Sequence, residues 1–167
     1  MRRVKSAHAV YGSARRRRRR AQIDAIERRA IEQARGAQHE LPEILCAAVL
    51  HDVVEDTPAT VDDVRERFGD RVAAMVGWVT KPEPEDGADR KAAKNTYLSH
   101  LKDAPDDAIV VKLADRASNV QTLRNLGLPK QREYYAQTVA YIMPLAASRA
   151  WWADWYADWQ EAHRDLG

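Results

Sequence analysis

An apolar run that leads directly into a charged segment constrains the fold of this chain more than any other feature of its sequence. Residues 44–50 read ILCAAVL and residues 51–56 read HDVVED. A helix that is apolar on every side has to be buried on every side. We therefore predict a central helix that begins near Pro42, continues through the charged segment and is broken at Thr57-Pro58. Its polar residues are expected to face an internal cleft.

The rest of the chain is also typical of helices. Gly and Pro number seven each among 167 residues, and long stretches contain neither. The predicted fold class is all-α, a compact single-domain helical bundle formed by residues 21–167 behind a basic arm of residues 1–20. Apolar spacing predicts one or two short helices after Thr60, joined at Gly69, and a tryptophan-bearing helix at the end of the chain. Further helices are predicted over residues 21–35, 88–102, 106–126 and 130–148.

Charge is distributed unevenly along the chain. Residues 1–35 contain twelve Lys or Arg and three acidic residues, so the remainder carries a net charge of −7 within a total of +2. A basic segment attracts phosphate, whereas an acidic body is a poor surface for duplex DNA. The pattern favours a phosphorylated small molecule over nucleic acid. The arginines at positions 15–20 are predicted to be a solvated arm, with a phosphate clamp or RNA-binding arm as the alternative.

Two further features indicate the compartment. No apolar run approaches the roughly 20 residues needed to cross a bilayer, so no membrane partner is expected. Cys46 is the single cysteine, which excludes an intramolecular disulfide and fits a reducing environment. We predict a cytoplasmic protein.

Four titratable residues lie on one face of the predicted central helix. At about 100° per residue, His51, Glu55, Asp52 and Asp56 fall within about 140° of each other. Packed against a core, these side chains need a counter-charge, and a divalent cation supplies one. A solvated polar face is the alternative. The apolar segment upstream favours the internal site.

A second helical segment repeats the pattern. In VVKLADRASNVQTL (residues 110–123), Asp115, Asn119 and Thr122 stand at i, i+4 and i+7 and share one face. Asp115 follows a buried apolar stretch and therefore needs a partner. A metal, Lys112 or Arg116 could fill that role.

Together these two segments resemble a known family. LHDVVEDT (residues 50–57) and VVKLADRASNVQTL are similar to motifs in the HD hydrolase domain of the RelA/SpoT homologue family, which includes the small alarmone hydrolases. The likeness runs from about residue 41 to 147. It implies a helical bundle that removes the 3′-pyrophosphate from guanosine tetra- or pentaphosphate.

The resemblance also implies roles for particular residues. His51, Asp52 and Asp115 are expected to bind a divalent metal, with Mn²⁺ first and Fe²⁺ or Zn²⁺ as alternatives. The other implied roles are water activation by Glu55 and Asp56 and contacts to the substrate by Asn119 and Thr122. Independently of the resemblance, Lys112, Arg116 or the arginines of the basic arm could neutralise charge on the phosphoryl oxygens.

One family feature is absent from its usual place. The family carries a first histidine, followed by proline, about 24 to 26 residues before the HD pair, and residues 23–29 here read IDAIERR. His8 or Glu27 could replace that ligand, or the site could lack it. The family's arginine between Asn119 and Thr122 is Gln121 in this chain.

Three functions therefore remain open. The first is hydrolysis of guanosine tetraphosphate, and the second is an HD phosphohydrolase acting on another nucleotide. The third is a degenerate HD domain that binds a nucleotide or a protein without turnover. Separately, the stripe of Trp151, Trp155 and Trp159 is predicted to pack on the bundle or to form a homodimer contact.

Overall fold

The computed structural model describes residues 41–84 and 87–167, and over these residues the chain is helical and contains no strand. The all-α prediction is confirmed. The predicted basic arm, the predicted helix over residues 21–35, His8 and Glu27 lie outside the described residues.

The helices vary from one turn to more than four. Short 3₁₀ turns cover Leu101–Asp103, Leu123–Asn125 and Arg164–Leu166, and a π-helical turn covers Thr138–Ile142. The α-helices are α1 Leu41–Leu50, α2 Val53–Asp56, α3 Val61–Phe68, α4 Asp70–Val79, α5 Arg90–His100, α6 Asp106–Gln121, α7 Leu128–Gln137, α8 Met143–Ala146 and α9 Ala150–Ala162.

The predicted central helix is interrupted at the HD pair, which corrects the continuous helix expected from Pro42 onward. α1 ends at Leu50 and α2 begins at Val53. His51 Nδ1 lies 2.7 Å from the carbonyl oxygen of Ala48. In a continuous helix that oxygen would accept from the N–H of Asp52. The imidazole thus competes for a helical acceptor at the residue where the helix breaks.

Local signals set several other boundaries. Thr60 and Asp63 form a reciprocal capping box at the start of α3. Gly69 joins α3 to α4 at φ +89°, a backbone conformation that favours glycine, as predicted. Pro129 lies in the first turn of α7, where its missing N–H costs nothing, instead of following a helix end.

α6 lies in the middle of the bundle. It contacts α1, α4 and α8. Leu113, Ala117 and Val120 are completely buried on one side of it, as their spacing predicts. The opposite side of α6 carries the polar residues of the candidate site.

The C-terminal helix packs on the bundle, but the buried stripe starts one residue later than predicted. Trp152, Tyr156 and Trp159 are buried, whereas Trp151 and Trp155 are only partly buried. The spacing i, i+4, i+7 follows one helix face more closely than i, i+4, i+8. A homodimer contact through this helix stays a prediction. No helix in residues 41–84 and 87–167 combines the length and apolarity that a bilayer crossing requires.

Candidate metal and phosphate site

Asp115 is the centre of the polar face of α6. Its side chain is 12% exposed, and Lys112 Nζ lies 2.9 Å from its Oδ2. Asn119, one turn later, donates to its Oδ1 at 2.6 Å. Burial alone would lower the pKa of Lys112, but the carboxylate of Asp115 raises it above its ordinary value. The buried carboxylate is therefore paired with a charged lysine, one of the partners expected from the sequence.

His51 brings the two predicted motifs together. Its Nε2 lies 3.1 Å from Asp52 Oδ2 and 3.7 Å from Asp115 Oδ1. The bond from Nδ1 to the carbonyl of Ala48 orients the ring so that Nε2 faces both carboxylates. The break between α1 and α2 therefore presents the imidazole to α6.

The carboxylates determine the protonation of His51. Burial alone would lower the pKa of His51. The hydrogen bond to Asp52 and the negative charge of Asp115 outweigh burial and raise the pKa from 6.5 to about 9. The imidazole consequently carries a proton at neutral pH when only these residues surround it. A metal at Nε2 would have to displace that proton.

The donor types of His51, Asp52 and Asp115, and the two distances from His51 Nε2, are compatible with a shared divalent cation. Ligands about 2.1 Å from a cation lie about 3.0 to 3.4 Å apart, close to the two distances from His51 Nε2. One imidazole and two carboxylates suit Mn²⁺, Fe²⁺ or Zn²⁺. Within the described ranges, however, no three His, Cys, Asp or Glu side chains form a complete metal-binding group. Lys112 and Asn119 engage the two oxygens of Asp115.

Glu55 is held at the edge of the site by the segment that follows α4. The backbone N–H of Lys81 donates to its Oε1 at 2.6 Å, and Lys81 Nζ is 3.5 Å from its Oε2. These contacts fix a carboxylate one turn beyond His51. Such a group can accept a proton from water in the cleft.

A cleft of about 130 Å³ is lined by both acidic and basic side chains. This volume suits a phosphoryl group with water and is smaller than the roughly 300 Å³ at which whole-ligand pockets begin. The cleft is lined by Asp52, Glu55, Lys81, Lys94, Tyr97, Leu98, Lys112, Asp115, Arg116, Asn119 and Tyr134.

Three predicted site residues, His51, Asp56 and Thr122, are not among those that line this cleft. Asp56 is exposed, one position past Glu55 on α2. Thr122 follows the end of α6 with φ −103° and ψ 15°, so the i+7 relation to Asp115 no longer places it on the same face. Its Oγ1 donates to the carbonyl of Asn119 at 3.4 Å.

Arg116 is a buried cation with an unused donor. The residue is 5% exposed and lines the cleft, and its Nη1 has no hydrogen-bond partner. Its guanidinium carbon lies 5.2 Å from the centre of the Tyr134 ring. A buried charged donor without an acceptor is costly. An anion in the cleft would satisfy it.

Lys94 adds a second cation on the same side. Burial lowers its pKa, as do the charges of Arg116 and Lys130, whereas Glu133 at 3.5 Å raises it. Its Nζ is 4.6 Å from the centre of the Tyr134 ring. The Tyr134 ring is therefore flanked by cations, an environment that attracts phosphate.

Five cleft residues were not identified from the sequence: Lys81, Lys94, Tyr97, Leu98 and Tyr134. Lys94 and Tyr97 read as ordinary members of a helix, and Lys81 as the start of a loop. Tyr134 lies in a helix that no motif marked. A charged or aromatic residue at helical spacing gives no signal by itself, because its role depends on which helix faces it.

Comparison with known proteins places this chain in a family. A family model described as the HD domain matches residues 7–152. The chain belongs to the HD domain family. Membership in this family implies dependence on a divalent metal. The match begins within the predicted basic arm and ends within α9.

Several curated proteins are similar to this HD domain. The bifunctional (p)ppGpp synthase/hydrolase SpoT of Escherichia coli K12 is 38% identical over 109 residues, which are 62% of this chain and 15% of that protein. The GTP pyrophosphokinase of Streptomyces coelicolor is 36% identical over 108 residues, 63% of this chain and 12% of that protein. The guanosine-3′,5′-bis(diphosphate) 3′-pyrophosphohydrolase of Aquifex aeolicus is 34% identical over 111 residues. The aligned part of this chain thus covers only about a sixth or less of the length of each of these relatives.

A solved structure has the same fold. It is a metazoan ortholog of SpoT that hydrolyses ppGpp, with a TM-score of 0.59 and 23% identity. The likeness covers 75% of this chain and 71% of that one. At this identity it supports the fold alone.

Proposed function

We propose that this HD domain is a metal-dependent phosphohydrolase that removes the 3′-pyrophosphate from guanosine tetraphosphate. The observation that carries the proposal is the approach of His51 Nε2 to Asp52 and Asp115 at 3.1 and 3.7 Å. The names of the relatives support the substrate, since two of them are pyrophosphohydrolases or hydrolases of this alarmone. Gln121, in place of an arginine, keeps another phosphorylated nucleotide as the alternative substrate.

His51, Asp52 and Asp115 would hold the metal, which we propose to be Mn²⁺. A bound divalent metal supplies an acidic water ligand and polarises a phosphoryl oxygen. Lys112 keeps the carboxylate of Asp115 in place from the opposite side at 2.9 Å. His51 must be neutral to ligate, so metal affinity should rise with pH toward the pKa of about 9.

Glu55 is the proposed proton acceptor. Its carboxylate lines the cleft and is fixed by the backbone N–H of Lys81 at 2.6 Å. In this position it takes the proton of the attacking water, a role that contributes about 10²- to 10⁴-fold to rate in enzymes. Asp56 was predicted to hold that water, and its position outside the cleft leaves Glu55 as the stronger candidate.

Arg116 and Lys94 are proposed to bind the phosphate oxygens. The unpartnered Nη1 of Arg116 needs an acceptor, and Lys94 lies on the same side of Tyr134. Both cations neutralise charge that builds on the phosphoryl oxygens. Asn119 lines the same cleft and is proposed to contact the nucleoside.

The experiment is an assay of pyrophosphate release from guanosine tetraphosphate with Mn²⁺, beside phosphate release from a panel of nucleotides. Asp115→Asn should abolish release, whereas the control Asp154→Asn, an exposed residue of α9, should retain it. Phosphate release from another nucleotide alone would shift the proposal to that substrate. A folded protein that binds Mn²⁺ and releases neither product would contradict hydrolysis.

The fourth ligand is tested separately. His8→Ala and Glu27→Gln variants should be titrated with Mn²⁺ by calorimetry. Loss of affinity in one variant identifies the replacement for the missing histidine. Unchanged affinity in both indicates that His51, Asp52 and Asp115 bind the metal without either residue.

A further inference from the structure

Polar contacts join the C-terminal helix α9 and its flanks to α6 and to the 3₁₀ turn that follows α6. Each partner on the α9 side lies 39 to 43 residues after its partner on the α6 side. Because this separation is nearly constant, α6 and α9 run parallel in a fixed register. The four pairs are Asp106 with Arg149 at 2.7 Å, Leu113 with Tyr156 at 2.8 Å, Val120 with Trp159 at 3.4 Å, and Arg124 with Asp165 at 2.8 Å.

The two inner contacts lie behind the candidate site. The hydroxyl of Tyr156 donates to the carbonyl of Leu113, and the indole N–H of Trp159 donates to the carbonyl of Val120. Leu113 and Val120 are two turns apart on one side of α6. At about 100° per residue, Asp115 and Asn119 point to the opposite side. α9 therefore supports the back of the helix whose front faces the cleft.

The hydroxyl of Tyr156 is not needed to complete the hydrogen bonds of α6. A carbonyl oxygen has two lone pairs, so Leu113 can accept from Tyr156 in addition to its helical donor. Tyr156 is 0% exposed, and its bond is the shorter of the two inner contacts. Its contribution is to fix the rotation and height of α6 against α9.

A small rotation of α6 would displace the site. Side chains extend about 5 to 6 Å from a helix axis, so a rotation of about 10° moves them by about 1 Å. A misplacement of about 1 Å can cost as much as 10²-fold in rate. Asp115 Oδ1 lies 3.7 Å from His51 Nε2, already beyond the roughly 3.4 Å expected of two ligands of one cation, so a further 1 Å would part them.

We propose that Tyr156 is a positioning residue of the HD site, acting through α6 to hold Asp115 against His51. The inference rests on the proposed function, because that function makes Asp115 a metal ligand. Tyr156 lies beyond residue 152, where the family match ends. The part of α9 that lies beyond the matched domain would thus help to assemble its metal site.

The test compares the full-length wild type with Tyr156→Phe, which keeps the ring and removes the hydroxyl. Mn²⁺ affinity is measured by calorimetry, and kcat and KM for guanosine tetraphosphate are measured at saturating Mn²⁺. Loss of an indirect support of a metal ligand should raise the Kd for Mn²⁺ about tenfold and lower kcat about tenfold. KM should change less, because the cations that bind phosphate remain.

Trp155→Phe is the matched control. Trp155 is a partly buried aromatic residue of the same helix that meets Trp152 and Tyr156 edge to face. It makes neither of the two inner bonds to α6, so its substitution leaves both in place. Its Mn²⁺ affinity should match the wild type. Trp159→Phe removes the longer inner bond and should have an intermediate effect, which provides a second reading if Tyr156→Phe folds poorly.

The outcomes separate the proposed hydrolysis of guanosine tetraphosphate from the positioning role of Tyr156. A wild type that binds Mn²⁺ without cleaving the alarmone contradicts the proposed substrate and leaves the affinity comparison valid. Tyr156→Phe with a Mn²⁺ Kd within twofold of the wild type overturns the positioning role. A wild type that does not bind Mn²⁺ at all overturns both.

Discussion

Replacement of Lys112 by Met would test the buried ion pair beneath the site. Lys112 and Asp115 side chains are only 11% and 12% exposed, with Nζ and Oδ2 2.9 Å apart, so solvent screens the pair weakly. Removing one partner of a buried pair costs about 3 to 5 kcal/mol, because the other charge stays buried. Asn119 and His51 still contact Asp115, which places the expected loss at the low end, about 3 kcal/mol. For a chain of this size, that loss lowers Tm by about 6 to 12 °C.

The assay is urea unfolding of the metal-free protein, repeated with Mn²⁺. The double variant Lys112→Met/Asp115→Leu should recover most of the loss, since an apolar pair replaces a buried ionic one at little cost. Mn²⁺ should stabilise Lys112→Met more than the wild type, because the cation replaces the lost charge beside Asp115. The exposed Lys102→Met is the control. Two results would refute this reasoning: a loss of unfolding free energy below about 1 kcal/mol in Lys112→Met, or a double variant less stable than either single variant.

Three other predictions follow from the same contacts. Glu55→Gln should lower kcat at least about 100-fold with Mn²⁺ affinity unchanged, and loss of Mn²⁺ in calorimetry would instead make it a ligand. Arg116→Met should raise KM for a phosphorylated nucleotide about tenfold or more, since it removes a charged donor, and an unchanged KM would argue against the phosphate role. The hydrogen bond from Arg124 lowers the pKa of Asp165 from 3.8 to about 2. The contact therefore stabilises the fold fully above pH 3.8, and this stabilisation is lost as the pH falls through 2. Asp165→Asn should therefore lose less stability than the wild type between pH 4 and pH 2, and identical acid unfolding curves would contradict the contact.

The sequence predicted the parts of the site that depend on local spacing. Asp115 and Asn119 share a face of α6 because i and i+4 positions do so in any helix. The need of Asp115 for a partner followed from its place after an apolar stretch, and Lys112 at 2.9 Å is one of those proposed. The approach of His51 to Asp115 followed from the paired motifs and not from spacing.

The features of the fold and of the site that sequence spacing did not predict depend on tertiary contacts. The helix break at His51 and Asp52 reflects a side chain that competes for the carbonyl of Ala48. Lys94 and Tyr134 come from helices with no motif, and their role arises only because both face α6. The Trp stripe was predicted one residue early, since five aromatic residues in nine positions fit more than one face of a helix.

The measurement that tests the central claim most directly is anomalous diffraction from crystals of the full chain grown with Mn²⁺. One peak per chain is predicted, roughly 2.2 Å from His51 Nε2 and from one carboxylate oxygen each of Asp52 and Asp115. Asp115→Asn crystals grown in the same way should lack it. A Mn²⁺ peak elsewhere in the protein, or none in crystals whose cleft is open to solvent, would contradict the assignment of these three residues as metal ligands.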